Sequence, residues 1–180
     1  MKCVTDDLHM NKPLLFLDVD GVLNPFAARV TSDRFRYHYI TVSDGRTLMV
    51  SLSEQHGIWL RDLLSDFDIV WATTWGEQAN EQVGPRIGLP VLPVVEPISI
   101  GLYRTTKRPP IIAFAGTRPL IWIDDKFNQT DWQWARSRRG GRGGVPTLLI
   151  AVDPAKGMTE THVEQMRRFA RSLENRDHSA

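Results

Sequence analysis

Cysteine is nearly missing from this sequence: 180 residues contain one, Cys3. A lone thiol excludes an internal disulfide framework and fits a reducing compartment. Neither sign of charge is in excess, the formal net charge being +1. So balanced a chain offers no global field to a polyanion, and any nucleic-acid contact requires a local basic patch. Apolar runs are short, none nearing the roughly 20 residues that cross a bilayer. The opening MKCVTDDLHMNK carries two acids and no apolar stretch, unlike a secretory leader. Five histidines (His9, His38, His56, His162, His178) show no metal-ligand spacing. No repeat and no second folded unit is evident. The expectation is a cytoplasmic protein forming a single domain over 1–180, without membrane or obligate protein partner.

What is present is an alternation of short apolar runs and helical periodicities. Leu14–Leu17 reads as a strand buried on both faces. Phe35–Leu52 reads as a hairpin of two strands, Tyr37–Val42 and Thr47–Leu52, around Asp44-Gly45. Ser53–Phe67 reads as a helix capped by Ser53, with Ile58, Trp59, Leu63, Leu64 and Phe67 on its inner side. Asp68–Thr73 is a second buried strand, followed by a short helix to Val83 and a turn marked by Gly84, Pro85, Gly88 and Pro90. Val91–Val95 offers a third strand. A helix can begin after Lys107, with Pro109 and Pro110 in its first turn. Leu120–Ile123 is another buried strand, Asp131–Arg138 a short helix and Arg139–Gly144 a glycine-rich connector. Thr147–Val152 is the last strand, and Thr161 with Glu164 suggests a capping box for a final helix. Alternating βα units of this kind imply an α/β fold, a parallel sheet with helices on both faces.

Three strands end in chemically useful groups: Asp18 and Asp20, Thr73 and Thr74, Asp124 and Asp125. Residues two apart in a strand share a face. Asp18 and Asp20 therefore project together, where they form either a solvated turn or a pair facing a cation. A parallel sheet gathers all three carboxyl ends at one rim, the usual place for a ligand. Four carboxylates there call for positive charge, most simply a hard divalent cation and Lys107.

FLDVDGVLN, VWAT, Lys107 and IWIDD, in that order, resemble the motifs of the haloacid dehalogenase (HAD) superfamily. The resemblance spans Leu14 to Val152. It implies a three-layer, Rossmann-like fold with a small hairpin flap after the first strand. It further implies Asp18 as nucleophile, through an aspartyl-phosphate, and Asp20 as general acid and base. Thr73, with Thr74 as the alternative, and Lys107 would bind phosphate. Mg²⁺ would sit on Asp18, the Asp20 backbone carbonyl, Asp124 and Asp125. The implied activity is that of a Mg²⁺-dependent phosphatase.

Neither Pro25–Leu52 nor Trp75–Thr106 has room for a substantial cap, so the site is expected to be open. Such a site suits a nucleotide, a nucleic-acid end or another large phosphorylated substrate, and small molecules too. The alternating Phe35, Tyr37 and Tyr39 could stack on a base, although packing of the flap is the plainer reading. Arg136, Arg138, Arg139 and Arg142 form a local basic cluster whose default is a solvated loop. Trp59, Trp71 and Trp122 read as packing, while Trp75 is placed to line the mouth. The rival function is a HAD-like binding or regulatory protein, for RNA or a protein partner, with little turnover.

Overall fold

The computed structural model describes residues 12–26, 34–42, 44–102, 104–141 and 143–177. Cys3, His9, His178, Ser43, Arg142 and most of Pro25–Arg34 lie outside these. Four parallel strands form the central sheet: β1 (Leu14–Leu17), β4 (Asp68–Trp71), β7 (Leu120–Asp124) and β8 (Thr147–Ala151), in the order β4-β1-β7-β8. β1 sits inside, pairing β4 through Leu17–Trp71 and β7 through Leu17–Ile123. All four of its residues are fully buried, which is why it is apolar without alternation.

Alternate side chains of these strands feed two cores. Leu15 and Leu17 pack with Ile69, Trp71 and Ile123 under α1 (Glu54–Leu63) and α5 (Glu160–Asp177). Leu14 and Phe16 pack with Val70 and Trp122 under α3 (Arg108–Ala115) and α4 (Gln129–Arg139). The result is the expected three-layer α/β fold. From β1 the chain passes to β4 on one side and then crosses to β7 on the other. The sheet's reversal point therefore falls beside β1, and the ligand-binding crevice of such a sheet lies at its carboxyl end.

Two hairpins flank that end. The expected one is β2 (Arg36–Thr41) with β3 (Thr47–Leu52). The other, β5 (Ile98–Gly101) with β6 (Arg104–Thr106), occupies part of a segment expected to hold only one helix and one strand. Val91–Val95 does not become a strand. It contributes one bridge, Trp71 to Val94, because Pro93 can accept a ladder bond from Trp71 but cannot donate one.

Local details shift as well. The short helix after β4 is a π-turn, Ala79–Val83, and helical geometry runs on through α2 (Gly84–Ile87) to a left-handed cap at Gly88. Gly57 turns the buried face of α1 toward this unit, since a Cβ there would lie 1.7 Å from the Ile87 carbonyl oxygen. The inner residues are consequently His56, Gly57, Leu60 and Leu63, while Ile58 faces outward. Ser53 occupies the N-cap position of α1, but its hydroxyl makes no cap bond. Thr161 lies inside α5, and the bonds at the helix start run from Thr159 to His162 Nδ1. Arg138 turns inward to donate to Thr147 and to the carbonyls of Gly116 and Arg118, so the arginine cluster is partly structural. Among the described residues, no helix is long and apolar enough to cross a membrane.

His56 ties α1 to the start of α5. Its Nε2 donates to the Met158 carbonyl at 2.9 Å, and its Nδ1 is buried without a partner. Burial pushes the imidazole down from 6.5 to about 4. The unfolded chain therefore takes up a proton at a pH where the folded one does not. Stability falls as pH drops through this window, by about 3 kcal/mol in all. His56→Gln removes the titration. Between pH 7.5 and 4.5 the parent should lose about 5–10 °C of melting temperature relative to the variant. Parallel melting curves over that range would refute the assignment.

Candidate active site

The DVDGVLN segment leaves β1 in a tight turn, with the Leu23 and Asn24 amides donating to the Val19 carbonyl. Gly21 takes φ +76, and a Cβ there would fall 2.5 Å from Cγ of Asp125. Glycine is required for both reasons: the left-handed backbone, and the room that lets the Asp125 carboxyl approach the turn.

Asp18 and Asp124 end neighbouring parallel strands, and Lys107 reaches both. Its Nζ lies 2.5 Å from Asp18 Oδ2 and 2.7 Å from Asp124 Oδ2. Lys107 is delivered as the residue preceding α3, whose first turn holds Pro109 and Pro110 as expected. The other oxygen of each carboxylate is also engaged. The Val19 amide donates to Asp18 Oδ1 at 2.8 Å and the Lys126 amide to Asp124 Oδ1 at 2.9 Å. Trp122, read from sequence as packing, also donates its indole N–H to Asp124 Oδ2 at 3.1 Å. Its spacing two residues ahead of an acid on the same strand face was the available signal.

One carboxylate oxygen from each of Asp18, Asp124 and Asp125 lies within 4.8 Å of the others. Oδ2 of Asp125 is buried with no hydrogen-bond partner. Such an orphan beside two further carboxylates is an arrangement that a hard cation satisfies, and the all-oxygen donor set fits Mg²⁺. Burial raises the Asp18 carboxyl, with Asp124 pushing the same way and Lys107 pulling it back. Burial also raises Asp125. For Lys107, burial acts downward, but Asp18 and Asp124 together outweigh it and hold the ammonium above its ordinary value.

Asp20 stands slightly apart from this cluster. Its Oδ2 accepts the Trp75 indole N–H at 3.0 Å, and its Oδ1 accepts the Asn24 amide at 2.9 Å. Thr73 is fully buried, and its Oγ1 accepts from the Trp75 backbone at a long 3.4 Å. Thr74 is exposed and faces the carboxylate pocket, which Asp18, Lys107, Asp124 and Asp125 line. A wider cavity of about 600 Å³ adjoins it, between the β2–β3 hairpin and the Thr73–Gln78 loop. Asp20, Thr74 and Thr105 line both spaces and so mark the boundary between them. Trp75, Asn24, Trp122 and the second hairpin are the parts of this site to which the sequence had assigned no role or only an approximate one.

Residues 14–163 match the family described as the HAD domain in Swiss Army Knife RNA repair proteins. Among solved structures, the chain is similar to the fission yeast RNA polymerase II CTD phosphatase Fcp1 bound to beryllium fluoride, at 13% identity and a TM-score of 0.44. That similarity covers 94% of this chain and 53% of the other, so this chain spans about half of that one. No curated protein sequence matches it.

Proposed function

The chain belongs to the family of HAD domains in Swiss Army Knife RNA repair proteins, and we propose on that premise that it is a Mg²⁺-dependent phosphomonoester hydrolase. The observation that carries this reading is Lys107 held between Asp18 and Asp124, beside the orphaned buried oxygen of Asp125. A merely solvated turn would bury neither the ammonium nor the carboxylates. Phosphoryl transfer needs an in-line nucleophile, neutralised phosphate oxygens and a proton for the leaving oxygen. This site has a residue for each.

Asp18 is the nucleophile. One of its oxygens bonds to phosphorus as the bond from phosphorus to the leaving oxygen breaks, and Asp20 gives that oxygen its proton. Water then attacks the aspartyl-phosphate and passes a proton to Asp20. The Asp18–phosphorus bond breaks and inorganic phosphate departs. Lys107 neutralises phosphate oxygens, and the exposed Thr74 hydroxyl bonds one of them. Asp18, Asp124 and Asp125, with the Asp20 carbonyl, would hold Mg²⁺, which shields the incoming phosphate from these carboxylates.

The substrate class we propose is a phosphorylated RNA end. The family description supports this, as does a neighbouring cavity roomy enough for a nucleoside. The test is release of inorganic phosphate from p-nitrophenyl phosphate and from 3′- or 5′-phosphorylated oligoribonucleotides. Turnover with Mg²⁺ should fall to background in EDTA and return when Mg²⁺ is restored. Turnover indifferent to EDTA would overturn the metal-dependent reading. Phosphate release from the aryl ester but from neither RNA end would overturn the substrate class.

A further inference from the structure

Asp20 is held from two sides by donors to which the motif resemblance assigns no role. Trp75, which follows the β4 threonines, donates its indole N–H to Oδ2 at 3.0 Å. Asn24, at the end of the β1 turn, donates to Oδ1 at 2.9 Å. Asn24 is itself pinned: it is buried, and its Oδ1 accepts the Ser51 backbone N–H of β3 at 2.8 Å. With its oxygen committed to that N–H, its amide nitrogen is left facing Asp20. Two segments, the β1 turn and the loop after β4, thus meet on one carboxyl, and the β2–β3 hairpin fixes one of the two donors. Each oxygen still keeps a second acceptor site, so the two donors fix the group without consuming its capacity to carry a proton.

The carboxyl is held at the boundary between two spaces. On one side lie Asp18, Lys107 and Asp124, and on the other the cavity of about 600 Å³. If phosphorus sits by Asp18, the leaving oxygen lies on the far side of phosphorus from the nucleophile. We propose that Trp75 and Asn24 are positioning residues that aim Asp20 at this leaving oxygen, and that the wide cavity receives the leaving group. The inference rests on the phosphatase reading and adds to it the direction of departure and the residues that set it.

Leaving-group dependence tests it. A p-nitrophenolate departs without being protonated, whereas an alkoxide needs an acid. The probes are p-nitrophenyl phosphate and p-nitrobenzyl phosphate, which differ by one methylene, and the readout is the ratio of kcat/KM for benzyl over aryl ester. Trp75→Phe keeps the ring and removes the N–H. Asn24→Asp keeps the oxygen that serves Ser51 and replaces the donor to Asp20 with an acceptor. Each should lower the ratio at least about tenfold, in the range that misaimed catalytic groups cost. Asp20→Asn should lower it further. A purely structural clamp would reduce both substrates alike.

If Asp20→Asn lowers the ratio while both Trp75→Phe and Asn24→Asp keep the parent value, the positioning role is overturned and the phosphatase reading stands. If the parent cleaves neither ester, the phosphatase reading falls and the positioning role with it. If Asp20→Asn leaves the ratio unchanged, the reading of Asp20 as general acid falls and the positioning role with it. A parent that cleaves only the aryl ester has no acid aimed at the leaving oxygen, which also overturns the proposal. Two variants built on different elements keep the test open should one of them fold poorly.

Discussion

Asp18→Asn is expected to abolish turnover of p-nitrophenyl phosphate, by about a thousandfold or more, without unfolding the protein. The activity loss follows from the proposed role: an amide oxygen is a poor nucleophile, and the neighbouring carboxylate, Asp20, is held by Trp75 and Asn24 apart from Lys107. That stability should survive follows from two opposed effects. Burial disfavours the Asp18 carboxylate, so removing its charge relieves the folded state. Against this, both Asp18 oxygens accept hydrogen bonds, from Lys107 and from the Val19 amide, and asparagine can keep only one. A lost hydrogen bond costs about 1 kcal/mol. The two roughly cancel, so the melting temperature should move by no more than a few degrees. A variant that turns over within tenfold of the parent would end the assignment of Asp18 as nucleophile. One that melts far below the parent would show that its carboxylate is structural.

The carboxyl ends of β1, β4 and β7 were legible in the sequence because strands buried on both faces leave uninterrupted apolar runs. Against those runs an acid or a threonine is conspicuous. Lys107 was legible by a different route, its position just ahead of two prolines that fit only the first turn of a helix. Its place among the carboxylates followed from the gathered strand ends and the motif resemblance; what only the folded sheet reveals is that one ammonium bridges Asp18 and Asp124 together. The same limit hid Asn24, whose two bonds tie the β1 turn to β3. Hairpin β5–β6 went unseen because residues 98–101 are all exposed, and an exposed ribbon writes no alternating pattern. Misjudged caps have a local cause. Serine at 53 and threonine at 161 are competent N-caps by type, but the fold decided otherwise: the Ser53 hydroxyl is buried and makes no cap bond, and His162 serves Thr159 two residues earlier than expected.

Removing the ammonium should make the fold depend on the cation. Lys107→Met leaves a side chain of similar length without charge, facing three carboxylates whose oxygens lie within 4.8 Å of one another. Breaking one side of a buried ion pair leaves the other side uncompensated, at about 3–5 kcal/mol. In EDTA the variant should therefore melt roughly 10 °C or more below the parent. A divalent cation replaces the missing charge in the folded state only, and so stabilises by the logarithm of its concentration over its dissociation constant. Millimolar Mg²⁺ should accordingly raise the melting temperature of Lys107→Met by more than it raises that of the parent. Turnover should stay low even then, because phosphate oxygens would still lack the ammonium. Lys126 provides the contrast. Its side chain is 80% exposed, and its ammonium lies 3.9 Å from Asp125, too far for a hydrogen bond and open to water. Lys126→Met should melt with the parent in EDTA and in Mg²⁺ alike. If Lys107→Met and Lys126→Met behave the same, Lys107 does not neutralise the carboxylates, and the charge balance on which the proposed chemistry depends is not the one that holds this site together.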